Sequence, residues 1–489
     1  MRTRSLLPVL GTLLVLLLGT ACARPRETPQ PTEPSSGGGA PIGTPSGGGT
    51  PPPAGGGPGG ARVAPGTPPT PPADAPRQRF DVVVVGGTSA GVGAALAAAK
   101  LGATVVVVEE SPTLGGMLSN GLSVTDIATA AEVSGFFEEF RLRVQRHYLT
   151  TLPSDPVVRD DDLAQRGFKY EPHVADRVLK GMVAQLPSIT VLHHHVLEHP
   201  VVEGRRVTGV VVRDLRTGQR RVLLAPVTVD AQPEGDVVAL AGAPFRVGRE
   251  PRSPQEPHAG VIYFDHQDPE ASLRDPRSTG EGDERVQAYS FLLTVKDYGR
   301  GADRTIPRPP GYDANRYACP GDWEKTWPVV AGRLPNGKME VNVHPYGSDL
   351  PGENYDYPTA TYERRVEVRR RYLEHALGYL YHLQTMCGLR HLGLPEDEYP
   401  DNGNVPYHMY VREARRIEGE YLFTEADASR SPGRPHRAPL HRTAIAVGAY
   451  PMDSHAVRPY EGWDRKGEGE FFLRHVTRPS QVPSGVLVP

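Results

Sequence analysis

The chain has 489 residues, room for two or three domains, and its 54 Lys+Arg against 57 Asp+Glu leave a net charge of −3. Near-balanced charge gives no electrostatic footprint for nucleic acid. The aromatic share of 7% is low because the front of the chain lacks a globular composition.

Arg2 and Arg4 precede a short apolar run, Leu6 to Gly19, which reads as a secretory signal and is too short to span a bilayer. Its end, Leu18-Gly19-Thr20-Ala21-Cys22, resembles a bacterial lipoprotein box, with leucine four rather than three residues before the cysteine. Ala21-Cys22-Ala23 also fits ordinary A-x-A cleavage, which would discard Cys22. Acylation at Cys22 would make the protein an exported, membrane-anchored lipoprotein; otherwise it would be periplasmic or secreted. Residues 23–78 are mostly Pro, Gly, Ser, Thr and Ala, too polar and flexible to offset their ordering entropy, so a disordered tether is expected. As a coil such a tether spans on the order of 40 Å.

The next stretch, VVVVGGTSAG at 82–91, carries the chemistry. Phe80 to Val85 reads as a buried parallel strand, Gly91 to Gly102 as an alanine-rich helix, and Thr104 to Val108 as a second strand ending at Glu109 and Glu110. Strand, glycine turn, helix, strand and acid in this order form one βαβ dinucleotide-binding unit. Gly86 suits the sharp turn, Gly91 lets the helix lie close to the sheet, and the Gly86-Gly87-Thr88-Ser89-Ala90-Gly91 loop aims a helix N-terminus at a pyrophosphate. Thr88 stands where the fingerprint has its middle glycine. Glu109 is placed for the adenosine ribose hydroxyls, and a carboxylate there repels the 2′-phosphate of NADP. That leaves NAD or FAD. A tight βαβ turn without a ligand is the competing reading.

Gly115-Gly116 soon follows the acid, a turn that flavoproteins of the two-dinucleotide type commonly have. EPHVADRVLKGMVAQ, within 170–185, reads as an amphipathic helix. Residues 189–198 and 207–224 alternate as strands around Glu203-Gly204 and Thr217-Gly218 turns, and 227–242 is a strand reaching Asp230-Ala231 before a helix. The second glycine turn and the Asp230-Ala231 return favour FAD over NAD.

His193-His194-His195 on a strand would face alternate sides, so a solvated strand is expected rather than a metal site. Cys319 and Cys387 sit in no CxxC or Cys/His spacing. Export would let them pair, while their isolation also suits buried free thiols, so the spacing gives no ground to assign a disulfide. VREARRIEGEY reads as a helix on which Arg412, Arg415 and Arg416 pair with Glu413, Glu418 and Glu420 at i,i+3 and i,i+4. Against that reading, Arg412 over a flavin could hold a substrate carboxylate or the reduced ring. His344, His408 and His455 are candidate acid–base groups. No Gly-x-Ser-x-Gly elbow, carboxylate-pair spacing or kinase signature offers residues for hydrolase or lyase chemistry.

Taken in order, QRFDVVVVGGTSAGVGAALAAAKLGATVVVVEE, LGGMLSNGLSVTD, YEPHVADRVL, VDAQPEGDVVALAGAPFRVGRE, VQAYSFLLTV, LPNGKMEVN, NYDYPTATYERR, YVREARRIEGEY and YPMDSH resemble the bacterial family of FAD-dependent oxidoreductases often grouped with xanthan lyases. The resemblance covers about 79–489. It implies an α/β fold: a glutathione-reductase-like, Rossmann-type FAD domain over 79–245, then a mixed α+β substrate domain over 246–470. It favours His455, within the MDSH motif, as a catalytic group. It also implies that 471–489 begins a return to the FAD domain, completed in the family by a strand and a Gly/Ala-rich helix, so these residues are expected to hold FAD loosely. Two functions stay open: a flavoenzyme acting on a small organic or carbohydrate-related substrate with an electron acceptor, or an exported binding protein or inactive remnant.

Overall fold

The valine run forms the centre of a four-stranded parallel sheet in the computed structural model, which describes residues 70–125, 133–263, 275–319, 332–342, 346–429, 437–459, 467–474 and 476–488. The first part of the chain runs β1 (Arg77–Arg79), β2 (Val82–Val85), α1 (Ser89–Lys100), β3 (Val105–Glu109), α2 (Gly135–Thr151), α3 (Pro156–Asp160), α4 (Asp162–Gln165) and α5 (Pro172–Ala184). Strands β4 (Ile189–His193), β5 (His195–Glu203), β6 (Arg206–Asp214), β7 (Arg220–Leu224) and β8 (Val227–Asp230) follow, with α6 (Asp236–Leu240). The parallel sheet has the order β4-β3-β2-β8, with Val83 opposite both Val106 and Thr228.

Unbroken valine is what this position requires, because both faces of the sheet are covered. Val84, Val105 and Val107 pack under Ala95 and Ala99 of α1. Val83, Val85, Val106 and Val108 pack against Val210, Val212 and Leu223 of a second sheet, order β1-β7-β6-β5. Each such fully buried valine contributes about 1.5–3 kcal/mol of burial energy.

The histidine triplet is not one solvated strand. His194 takes a left-handed φ of 59° and breaks the chain there, so His193 ends the parallel sheet and His195 opens the antiparallel one. His193 Nδ1 meets the Ser111 carbonyl at 2.8 Å, and His195 is buried with Nδ1 2.7 Å from the His193 carbonyl. The positive φ, invisible to a strand pattern, turned one expected strand into two.

The second part contains β9 (Phe245–Arg246), β10 (Leu293–Asp297), β11 (Gly332–Leu334), β12 (Lys338–Val341), α7 (Tyr362–Thr385), β13 (Leu392–Gly393), β14 (Arg416–Ile417) and α8 (Glu425–Ala428). It closes with β15 (Ala444–Gly448), β16 (Asp453–Ser454), β17 (Phe471–Phe472) and β18 (Ser480–Pro483), where β17 pairs with β16 and β18 with β15. An antiparallel sheet, β11-β12-β10-β13, is covered by α7 through Val368, Tyr372, Ala376, Tyr379, Leu380 and Leu383. Thr361 caps that helix by accepting from Arg364 N–H. No described helix is long and apolar enough to cross a membrane.

VREARRIEGEY is not helical: it runs as extended and irregular chain, with β14 pairing β9. Its arginines reach carboxylates far away in sequence, Arg412 to Asp349, Arg415 to Asp236 and Arg416 to Glu250. Those tertiary partners outweighed the local i,i+3 and i,i+4 pairs that the pattern suggested; only Arg416–Glu413, at 3.7 Å, survives as a short-range contact.

The two parts are joined by charge. Arg369 on α7 meets Glu110 at 2.7 Å and donates to Tyr357 Oη at 2.9 Å, while Arg365 grips Asp236 at 2.6 and 2.9 Å. Cys319 and Cys387 form a disulfide, the pairing that their spacing gave no ground to assign, because the fold brings positions separated by 68 residues to a Cα–Cα distance of 5.5 Å. Closing a loop of 68 residues constrains the unfolded chain by about 4 kcal/mol in the chain-entropy relation. Urea denaturation of the oxidised protein and of a Cys319→Ala/Cys387→Ala double variant should differ on that scale, and coincident midpoints would contradict the bridge.

Candidate active site

Three loop ends converge at the C-terminal edge of the parallel sheet. The tightest contact is between Gly91 and Gly86. A Cβ built on Gly91 would stand 1.9 Å from the Gly86 carbonyl oxygen, so no side chain fits there. Gly86 in turn lies against Ala231, whose backbone a Cβ on Gly86 would meet at 2.9 Å.

Thr88, the departure from the glycine fingerprint, serves as the N-cap of α1. Its hydroxyl accepts from Gly91 N–H at 3.2 Å and donates to the Ala231 carbonyl at 2.8 Å, which ties the first loop to the end of β8. With Gly91 N–H so engaged, exposed Ser89 and Ala90 supply the remaining donors of the first turn, where the helix end favours an anion.

Gly87 has a different task. Its N–H donates to Glu109 Oε2 at 2.8 Å, and a Cβ there would meet the same oxygen at 2.9 Å. Glu109 is buried, and its Oε1 accepts from Ser111 N–H at 2.8 Å and faces His408 Nε2 at 3.0 Å. Burial pushes the Glu109 carboxyl up, but the His408 charge and the Ser111 hydrogen bond prevail and hold it at about 2. Burial pushes His408 down, and Glu109 more than reverses this, so His408 stands above its ordinary value. His408, a candidate acid–base group, is thus paired with the Glu109 carboxylate.

Gly115 N–H donates to the Gly87 carbonyl at 2.7 Å, and Thr88 and Gly115 form a parallel bridge, so the second glycine turn, Gly115-Gly116, is stitched to the first loop. Asp230 does not stand open at the edge: its carboxylate accepts from Gln232 N–H at 3.2 Å and Val238 N–H at 3.1 Å, shaping the turn that presents Ala231. Burial raises its pKa to about 6. Gly86, Gly87, Thr88, Ser89, Ala90, Gly91, Glu109, Gly115, Gly116, Asp230 and Ala231 are therefore one assembly, although Gly87 and Asp230 act as supports within it.

A second cluster lies in the other part of the chain. Asp349 is buried and shared: Oδ2 faces His455 Nδ1 at 2.5 Å and Oδ1 faces Arg412 Nη2 at 3.3 Å. Arg412 also donates to Ser290 Oγ at 3.3 Å and lies 4.3 Å from the centre of the Tyr410 ring. His455 and Arg412 are thus brought together, while His344 lies outside the described residues. Asp349 lies in none of the stretches that carry the resemblance, and Ser290 lies in one, VQAYSFLLTV, without any spacing that marks it as a site residue.

The two clusters are linked by short stretches of chain. Asn120 is fully buried, donates to the Gly116 carbonyl at 2.9 Å and accepts from Tyr407 N–H at 2.9 Å. His408, on Glu109, is four residues from Arg412, at most about 14 Å of chain. Gly121 presses on Leu292, where a Cβ would stand 2.0 Å from the carbonyl oxygen, and Leu292 is two residues from Ser290. The Arg412–Asp349–His455 cluster therefore stands beside the loop that leaves the second glycine turn.

Two described groups bring metal-type donors together. In one, Lys338 already lies 2.7 Å from Glu171, Asp397 and Glu398; in the other, the two sulfurs are bonded to each other.

Residues 81–489 match the model of a family described as FAD dependent oxidoreductase. Among solved structures, a glycerol-3-phosphate dehydrogenase from Bacillus halodurans complexed with FAD is 14% identical, over 68% of this chain and 56% of that one, with a TM-score of 0.29. A myxobacterial chondrochloren halogenase, described as a variant of FAD-dependent halogenases, is 15% identical over 62% and 60%, with a TM-score of 0.28. The quinol fumarate reductase chain FrdA of E. coli is 19% identical over 32% and 33%, with a TM-score of 0.24, so this chain spans a third of its length. Likenesses at these scores place no residue.

The cradle fits a dinucleotide: two backbones in contact, exposed first-turn donors and a buried carboxylate. Gly91→Ala should abolish FAD binding in titration, with folding checked by circular dichroism; a folded variant with wild-type FAD affinity would contradict the cradle. The Glu109–His408 pair has its own pH signature. Glu109, lowered to about 2, contributes above its ordinary value and loses the contribution as pH falls toward 2. His408, raised, contributes below about 6.5 and loses the contribution as pH climbs through its elevated value. His408→Gln should cost about 2 kcal/mol between roughly pH 4.5 and 6.5, and less above, in urea unfolding series. A pH-independent difference would remove the pair.

Proposed function

The chain belongs to the FAD-dependent oxidoreductase family, and we propose that its reaction centre is the buried Arg412–Asp349–His455 cluster, where an organic substrate is dehydrogenated. The observation that carries this reading is the Asp349 carboxylate, shared by a histidine and an arginine next to the chain that leaves the cofactor cradle. FAD, when bound, supplies a two-electron acceptor for hydride.

Ser89, Ala90 and the backbone around Gly86 and Gly91 would hold the pyrophosphate, and Glu109 the adenosine ribose, with the cofactor extended across the strand ends as in a glutathione-reductase-like domain. Glu109 has about four lone-pair directions, and Gly87 N–H, Ser111 N–H and His408 use three, leaving one for a ribose hydroxyl. Asp349 accepts from His455 Nδ1–H, which makes Nε2 the basic nitrogen of that imidazole. His455 then takes the proton released as the substrate C–H bond breaks, and Asp349 stabilises the resulting imidazolium. Arg412 orients the substrate.

Export and anchoring belong to this proposal as well. Arg2, Arg4 and the Cys22 segment support them, and so does the Cys319–Cys387 disulfide, since such bonds persist in oxidising compartments.

The test is a purified protein with its FAD content measured, mixed anaerobically with alcohols, hydroxy acids and sugars while flavin absorbance is followed. His455→Gln should keep its FAD yet slow substrate-driven bleaching by about 10²–10⁴-fold. A variant that bleaches at the wild-type rate would remove His455 from the chemistry.

A further inference from the structure

We propose that the substrate is a 2-hydroxy acid: Arg412 takes its carboxylate and His455 takes the proton of the neighbouring hydroxyl. This rests on the reaction centre proposed above and goes further by naming the two groups the substrate must carry.

The first ground is an unfinished set of hydrogen bonds. The Arg412 side chain is only 8% exposed, and its Nε is buried with no hydrogen-bond partner among the described residues. Its two Nη2 contacts, to Ser290 and Asp349, are both long at 3.3 Å. Buried Arg249 and Arg415 also have one nitrogen each without a partner, but they hold carboxylates at short range, as Arg249 does Glu468 at 2.7 Å, and Arg365 grips Asp236 at 2.6 and 2.9 Å; Arg412 alone of these four has both an open nitrogen and only long contacts. A buried guanidinium with an open donor is costly, and an acceptor anion removes that cost. The planar fork of the guanidinium selects a carboxylate, which can take two parallel N–H bonds.

The second ground is adjacency. Arg412 and His455 hold the two oxygens of the same carboxylate, so an anion on the guanidinium has its next substituent beside the imidazole. A hydroxyl on the carbon next to the carboxylate meets that condition. A 2-amino acid lacks the hydroxyl, and the nearer carboxylate, Asp349, is already shared between two basic groups, with Asp453 Oδ1 standing 4.0 Å from His455 Nε2.

The reductive half-reaction balances. The hydroxyl O–H bond breaks and its proton goes to His455 Nε2. The carbinol C–H bond breaks, and its hydrogen and both bonding electrons would pass as hydride to bound FAD, the oxidant. The C–O bond becomes C=O, and the product is a 2-oxo acid. No external acceptor is needed for this half-reaction.

The experiment uses protein whose FAD stoichiometry is known, with glycolate and both lactate enantiomers as probes, and propan-2-ol and alanine as controls that lack the carboxylate or the hydroxyl. Pyruvate, the oxidised counterpart, is titrated separately by the shift it causes in thermal unfolding, a readout that needs no turnover. We expect at least one hydroxy acid to bleach the flavin and neither control to do so. Arg412→Gln should weaken pyruvate binding at least tenfold at unchanged FAD content, with Arg412→Lys recovering part of it, whereas His455→Gln keeps pyruvate binding and loses bleaching. Pyruvate bound equally by wild type and Arg412→Gln, bleaching by propan-2-ol or alanine, or no bleaching by any hydroxy acid would each overturn the assignment. Absence of FAD from the protein would instead count against the cofactor reading, and pyruvate binding would still decide the role of Arg412.

Discussion

The nucleotide side of this protein depends on one backbone contact, Gly91 against the carbonyl of Gly86, which leaves no room for even a methyl group. Because α1 starts that close to β2, Thr88 can cap it and reach the Ala231 carbonyl at the end of β8. With the loop held there, Gly87 offers its N–H to Glu109, and its carbonyl receives Gly115. The second glycine turn positions Asn120, and Asn120 holds Tyr407. From Tyr407 the chain runs past His408 to Arg412. A single close approach in the first loop thus propagates, through hydrogen bonds at or below 3.2 Å, to the side chain that faces the proposed substrate.

Between the two parts of the fold the contacts are ionic. Arg365, Arg369 and Arg415 meet Glu110, Glu234 and Asp236, and Tyr357 donates to Glu234 at 2.9 Å. Buried charge of this kind adds little net stability, since desolvation offsets the attraction, but removing one partner is costly. Its consequence is geometric: these pairs tie α7 to the ends of the parallel sheet. Lys338, with carboxylates of Glu171, Asp397 and Glu398 each at 2.7 Å, fixes β12 against α5 and the 397–398 turn by the same logic. Glu340, on the same strand, accepts from Ser123 and Val124 N–H at 2.6 and 2.9 Å, which brings the second sheet up to the loop after the glycine turn.

The sequence made the first βαβ unit readable because strand, helix and turn signals there all agree with the final packing. Residues 80–110 needed no distant partner to be interpreted, and the Pro172 start of α5 was equally local. What stayed hidden was set by tertiary contacts or by single backbone angles. His194 breaks a strand through one positive φ. The arginines of VREARRIEGEY have carboxylates four and three residues away, yet bind Asp349, Asp236 and Glu250. Cys319 and Cys387 carry no spacing that foretells their bond. Arg412 and His455 stood out as chemically capable, but Asp349, which unites them, lies outside every motif, since its role exists only once 106 residues have folded back on it.

Whether the cluster stands beside the flavin ring can be read without knowing the substrate. A guanidinium near the ring stabilises its reduced, anionic form, so the two-electron midpoint potential of bound FAD should be more negative in Arg412→Gln than in the wild type. A fall of about 30 mV corresponds to roughly 1.4 kcal/mol of lost interaction. Equal potentials in two proteins of equal FAD content would place Arg412, and with it the Asp349–His455 pair, away from the reacting ring.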